Sequence, residues 1–280
     1  MTAIVKDQNG NLVPGTLVTF NLPRGVKPIT GDNVWIKTND RGEAELQVVS
    51  VIAGTYEITA TARDNQPSTT QSIEFVADKA TATIADIAVA NNYALADGKA
   101  KQTYRIKVVD ANNNLLRGSE VTLSASPEGL NLSPNGEVTT DEQGIAVFTA
   151  TTTKANTYVL TATVNRTNSQ VSTKTAEAKF VADEKNAVLT VSPDVTELVA
   201  DGNTTATIDL TLMEGDNTVG GTVWVDVEAP EGVSDDMYKI LPAKITHFIS
   251  GKSSRTYSTT VEGVYKLKFT ALTYGGYETE

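Results

Sequence analysis

His247 is the only histidine in the 280 residues, and there is no cysteine. A serine–histidine–acid relay would rest on that one side chain, and no pair of imidazoles or thiolates can share a metal. His247 stands in Ile245-Thr246-His247-Phe248-Ile249, where polar–apolar alternation puts it on one face of a strand, as a surface or rim residue. Asp235-Asp236 has no companion carboxylate at a spacing suited to general acid–base work and reads as a solvated turn. The glycine-containing loops follow no strand-to-helix pattern, so they do not read as phosphate cradles. Asp7-Gln8-Asn9-Gly10-Asn11 opens like a calcium loop, but the sixth position is Leu12 instead of glycine and the twelfth is Val18 instead of glutamate. A turn in which Asp and Asn bond their own backbone accounts for it better. One carboxylate option remains: an ion held by Asp78 with Asp97, or by Asp183, Glu184 and Asp201. Apart from that option the chain is read as a non-enzyme, with no catalytic residue, metal ligand or cofactor site.

The elements that would carry these residues are strands. The apolar residues are mostly Val, Ile and Ala interleaved with Thr, which suits a pleated, half-buried surface. A net charge of −11 repels phosphate, so nucleic acid is not expected as a partner. No apolar run reaches the roughly 20 residues of a membrane-spanning helix, and no signal peptide is recognisable at Met1. The absence of cysteine suits a bacterial surface protein that crosses an oxidising periplasm unfolded.

Three landmarks recur in order. Phe75-Val76-Ala77-Asp78 returns as Phe180-Val181-Ala182-Asp183, Ala96-Asp97-Gly98 as Ala200-Asp201-Gly202, and Thr38-Asn39-Asp40-Arg41-Gly42 as Thr140-Asp141-Glu142-Gln143-Gly144. A period of about a hundred residues means tandem copies of one domain. The division expected is 1–78, 79–183 and 184–280. The first copy should lack its first strand, since Thr2 to Asp7 corresponds to the stretch from Tyr104 to Asp110. The last should be cut at its final strand. The middle copy shows about seven short alternating stretches with turn signals every 8–15 residues, the pattern of a two-sheet sandwich. In each copy a tyrosine leads a late strand after a tight corner: Gly54-Thr55-Tyr56, Asn156-Thr157-Tyr158 and Gly263-Val264-Tyr265. That placement is the tyrosine corner of immunoglobulin-like domains, with Ile58, Leu160 and Leu267 facing inward two residues on. The fold expected is therefore all-β, with tandem immunoglobulin-like β-sandwich domains. The junctions carry neither glycine nor proline, so one strand should pass almost directly into the next domain and make an elongated rod.

The motif set resembles the bacterial Ig-like (Big-1) repeats of the intimin/invasin adhesins. It comprises Ala-Asp-Gly before an alternating strand, Asp-x-x-Gly-Asn-x-Val-Pro-Gly at Asp7 to Gly15, the Thr-(Asn/Asp)-x-x-Gly-x-Ala turns at Thr38 and Thr140, and the tyrosine-led strand. The third copy departs from it, lacking the Asp-x-x-Gly-x-Ala turn between Val233 and Gly251. The resemblance implies repeats projecting from an outer-membrane β-barrel of the inverse autotransporter type, at the bacterial cell surface and anchored through another part of the protein. It also implies a monomer that attaches to a host cell-surface or extracellular-matrix protein. The alternative class is a carbohydrate-binding or spacer module of a secreted polysaccharide-active enzyme. A sugar platform needs coplanar exposed aromatics, and Trp35 and Trp224 fall at unrelated positions of different copies. One segment stands out as a possible partner-binding edge: Met237, Tyr238, His247 and Phe248 beside Lys239, Lys244, Lys252 and Arg255, in a chain otherwise acidic.

Overall fold

Residues 1–62, 68–167, 169–242 and 245–280 are described by the computed structural model, and Lys244 lies outside them. Branched and small apolar residues at every second position make strands with one buried face. In the first domain these are β1 (Thr2–Ile4), β2 (Leu17–Asn21), β3 (Val26–Pro28), β4 (Trp35–Lys37), β5 (Glu43–Glu45), β6 (Val48–Ser50), β7 (Gly54–Ala62) and β8 (Ser68–Phe75). They pair as a sheet in the order β4-β2-β7-β8, facing the pairs β1-β5 and β3-β6. Val18, Phe20, Ala44, Leu46, Ile58 and Ala60 fill the space between.

The second domain is the fullest sandwich. Its strands are β9 (Thr83–Ala90), β10 (Ala94–Leu95), β11 (Gln102–Val109), β12 (Glu120–Ser126) and β13 (Asn131–Ser133). They continue with β14 (Glu137–Thr139), β15 (Ile145–Thr151), β16 (Asn156–Asn165) and β17 (Val171–Val181). One sheet runs β13-β15-β11-β9 and the other β10-β17-β16-β12-β14. The chain changes sheets after β9, because β10 pairs in parallel with β17. Sequence alternation overlooked this two-residue strand, which is too short to show a period. Ile84, Tyr104, Ile106, Val121, Phe148, Leu160 and Val164 make the core, each under a tenth exposed.

The third domain comprises β18 (Val188–Pro193), β19 (Ala206–Glu214), β20 (Asn217–Thr218), β21 (Gly221–Glu228) and β22 (Tyr238–Leu241). After these come β23 (Thr246–His247), β24 (Lys252–Thr259), β25 (Lys266–Thr273) and β26 (Glu278–Thr279). Its sheets run β18-β19-β24-β22, with β20 on β19, and β23-β21-β25-β26. Among the described residues, and apart from β20 and a missing counterpart of β10, this repeats the strand order of the second domain although the intervening sequence has diverged. The turn glycine shows why. Gly42 and Gly144 have φ of 67° and 68°, and a β-carbon on either would lie 2.8 Å from the carbonyl oxygen of Val5 or Val108. Only glycine fits such a place. Gly251 fills it in the third domain, with φ 72° and the Leu212 carbonyl 3.0 Å from a β-carbon. The third copy lacks the Asp and Ala of the motif, but its turn keeps the one indispensable residue, glycine.

The junctions also differ from expectation. Strand does not run straight into strand: a single 3-10 turn intervenes, Lys79–Thr81 at the first and Glu184–Asn186 at the second. Asp78 caps the first through its side chain on the Ala80 amide, and Asp183 caps the second on the Lys185 amide. The last residue of the repeated Phe-Val-Ala-Asp motif is thus an N-cap, a common use of aspartate.

Candidate functional site

The residues singled out for chemistry do not assemble. His247 is exposed on β23, opposite Thr222 of β21. Among the described residues no three His, Cys, Asp or Glu side chains converge on a metal-sized space. The carboxylates considered for an ion serve their own turns instead. Asp97 accepts from the amides of Ala100 and Lys99, which hold its carboxyl below the usual value. Asp201 does the same with Thr204 and Asn203. These bonds explain the repeated Ala-Asp-Gly motif: the aspartate ties down the turn and the glycine takes positive φ, 74° at Gly98 and 76° at Gly202.

The three strand-leading tyrosines share one geometry. Tyr56 donates its hydroxyl to the Ile52 carbonyl at 3.1 Å, Tyr158 to Lys154 at 2.9 Å and Tyr265 to Val261 at 2.9 Å. Each hydroxyl reaches back four residues and closes the bend that leads into β7, β16 or β25. Tyr158 is fully buried, 3.2 Å from the Thr152 hydroxyl and edge-on to Phe180. Tyr265 pairs with Thr259 in the same way at 2.8 Å. Tyr56 is half-buried and has Ser50 where the other bends have threonine.

Those same bends are where the domains meet. The side-chain amide of Asn114, in the β11–β12 turn, accepts from the Ala53 amide at 2.9 Å and donates to the Val51 carbonyl at 3.0 Å. One planar group, carrying both donor and acceptor, meets an acceptor and a donor two residues apart on the first domain's bend. The orientation is fixed from behind, because the Asn114 Nδ2 also donates to Asp110 at 2.8 Å. With its NH₂ group facing two acceptors, the amide must turn its oxygen to the Ala53 N–H. Asp110 in turn accepts from the Asp78 amide of the connecting segment at 3.1 Å, and the Thr81 hydroxyl accepts from Ala111. Burial raises the Asp110 carboxyl, but the bonds from Asn114, Asp78 and Asn112 outweigh it and leave the group below its ordinary pKa.

The second junction repeats this arrangement. Asn217 accepts from the Ala155 amide at 2.7 Å, donates to the Thr153 carbonyl at 3.0 Å and is held from behind by Glu214 at 2.9 Å. The contacted residues are again the third and the fifth before the tyrosine. Glu184 adds a bond from the Gly275 amide at 2.5 Å. An asparagine clamp on the preceding domain's bend is therefore an interdomain device that both junctions share. Sequence reading saw Asp110 to Asn114 only as a turn, since a partner a domain away leaves no local pattern.

The segment proposed for partner binding is only partly available. Phe248 is 4% exposed and belongs to the third core, and Tyr238 packs against Tyr257 and Tyr265 while donating to Asp235. Met237 is half-buried. Arg255 is buried too, donating to the Val223 carbonyl and to the Thr246 hydroxyl. Four residues grouped by composition thus point in different directions: alternation turns Phe248 inward and leaves Ile245, His247 and Ile249 outside. Trp35 is exposed on β4 and Trp224 is half-buried on β21 of another domain, so they form no common platform.

Strand order, bends and junctions define a tandem array of immunoglobulin-like sandwiches. Residues 1–76 and 84–181 both match the bacterial Ig-like domain (group 1), and the chain belongs to that family. A curated relative, the inverse autotransporter adhesin YeeJ of Escherichia coli strain K12, is 35% identical over 148 residues. That match takes in 52% of this chain and 6% of the relative, so the chain spans a small part of that protein's length. Among solved structures, the Escherichia coli adhesin FdeC superposes with a TM-score of 0.52 at 17% identity, over 97% of this chain and 86% of that one. InvD of Yersinia pseudotuberculosis gives 0.51 at 16% identity, over 99% and 80%. At such identities these two structures attest the fold.

Proposed function

We propose that this chain is a stalk segment of a bacterial outer-membrane adhesin, spacing an adhesive tip from the cell that carries it and serving attachment to host cells or matrix. The observation that carries the reading is the clamped junction. The second and third domains each grip, through two hydrogen bonds, the preceding domain's bend that leads into its tyrosine strand, where a flexible tether would leave the domains free to fold back on each other. The family relationship and the resemblance to an inverse autotransporter adhesin support the same reading. Within it the units divide at 78 and 183, after the aspartate caps, and the chain acts as a monomer at the bacterial surface. A strand rises about 3.3 Å per residue, so three sandwiches end to end reach on the order of 100 Å. Solution scattering should give that maximum dimension. A compact particle near half the length, or a dimer at micromolar concentration, would refute the spacer.

Recognition of a host cell-surface or matrix protein belongs, in this reading, to the third domain's outer edge. Ile249 is 79% exposed and Ile245 62%, flanking His247, whereas Phe248 holds the core from the other side. Cell-adhesion measurements with Ile249→Lys and His247→Ala test it. Unchanged adhesion in both variants, with the fold intact, would move recognition elsewhere on the stalk.

A further inference from the structure

Among the described residues, the first domain carries a clamp whose asparagine bonds only its own turn. Asp7 accepts from the amides of Asn9 and Asn11 at 2.9 and 2.8 Å and from the Asn11 side chain at 2.9 Å. Asp110 accepts from Asn112, Asn114 and the Asn114 side chain at 2.8, 2.9 and 2.8 Å. The backbone bonds agree as well: Asp7 to the Asn11 carbonyl at 2.8 Å and Asp110 to the Asn114 carbonyl at 3.0 Å. Residue four of each turn has positive φ, 84° at Gly10 and 64° at Asn113. Burial distinguishes the two loops: Asp110 is 3% exposed and Asn114 half-buried beneath the first domain, while Asp7 and Asn11 are both exposed. Asn11 is thus already held from behind in the orientation that Asn114 uses at an occupied junction.

We propose that Asn11 is the docking residue for the bend of a further immunoglobulin-like domain joined in tandem ahead of the first. Its amide would accept from the N–H three residues before that domain's tyrosine and donate to the carbonyl five residues before it. Both existing junctions use those two positions and put alanine at the third, Ala53 and Ala155, where a small side chain lets the asparagine approach. The third domain has Glu262 there. Its carboxylate would arrive beside Asp7, which argues against a second copy of this chain as the occupant. Two hydrogen bonds are also too few to overcome the entropy of joining separate molecules, whereas a tandem connection has already met that requirement. The proposal deepens the spacer reading and rests on it. It fails separately from that reading, because its readout is one amide and neither length nor adhesion.

The first test uses the 280-residue chain. Ala111→Gln with Asn113→Gly places the Asp7–Asn11 sequence at the occupied first junction. Exchange of the Ala53 amide should be unchanged, while Asn114→Ala should speed it roughly fivefold to tenfold, the loss of one net hydrogen bond. Faster exchange in the grafted chain, equal to that of Asn114→Ala, would show that the Asp7 loop cannot clamp and would overturn the proposal. The second test duplicates residues 1–103 ahead of Met1. Thr2 pairs with Glu45 as Arg105 pairs with Val147, so the join places a strand like β9 in register beside β1. With the added segment isotopically labelled, its Ala53 amide should be protected, and Asn11→Ala should remove that protection by the same factor. Equal exchange with and without Asn11, or an Asn11-dependent association of the 280-residue chain at rising concentration, would overturn it.

Discussion

Replacing Tyr158 with phenylalanine removes one oxygen and leaves the ring, so it isolates what the hydroxyl contributes to its bend. The hydroxyl donates to the Lys154 carbonyl at 2.9 Å and lies 3.2 Å from the Thr152 hydroxyl. Thr152 keeps two other partners, donating to the Gly129 carbonyl and accepting from the Lys154 amide. Only the Lys154 carbonyl is left without its bond, and Lys154 stands at the surface where water can reach it. One net hydrogen bond at a partly wetted acceptor gives a loss of about 1 kcal/mol. Tyr158→Ala also removes a fully buried ring that packs edge-on to Phe180 with centroids 6.2 Å apart. Aromatic truncations of that kind cost roughly 3–5 kcal/mol through lost transfer energy and the cavity left behind. At Tyr56 the ring is half-buried and the bond to Ile52 is longer, 3.1 Å, so Tyr56→Phe should cost less than Tyr158→Phe. Urea denaturation followed by domain-resolved amide exchange would rank the three. The reasoning is refuted if Tyr158→Phe is as stable as the parent, or if Tyr56→Phe is the more damaging of the two phenylalanine variants.

Other consequences follow from the same geometry. Asn217→Ala loses both bonds across the second junction, and the coupling between the second and third domains should fall by about 2 kcal/mol; calorimetry should then resolve their unfolding, and a single unchanged transition would contradict the clamp. The Asp110 carboxyl is depressed in the folded protein, so its contribution is complete above the unfolded pKa of about 3.9 and is lost as pH falls through the lower folded value. Stability of the parent should therefore drop more steeply than that of Asp110→Asn below about pH 4, and parallel pH curves would refute this. Gly251→Ala should cost upward of about 1 kcal/mol from positive φ alone, with crowding against the Leu212 carbonyl added. A melting temperature equal to the parent's would show that the turn relaxes.

The sequence alone determined the class of fold, because period-two alternation, turn residues and self-similarity at about a hundred residues are local or directly repeated. It also singled out the three tyrosines, since glycine or asparagine two residues before a tyrosine in an alternating stretch is a short pattern. Tertiary structure decided everything that joins residues distant in sequence. The asparagine clamps bring together positions about sixty residues apart, so Asp110 to Asn114 looked like any polar turn and Asp7 to Asn11 like a poor calcium loop. The aspartate caps replaced an expected strand-to-strand passage, because a single 3-10 turn leaves no periodicity. The third domain misled composition most. Met237, Tyr238, His247 and Phe248 are neighbours in the list of residue types, but a strand sends alternate side chains to opposite faces. Which face is core depends on the opposing sheet: packing took Phe248 and Arg255 inside and left Ile245 and Ile249 for solvent.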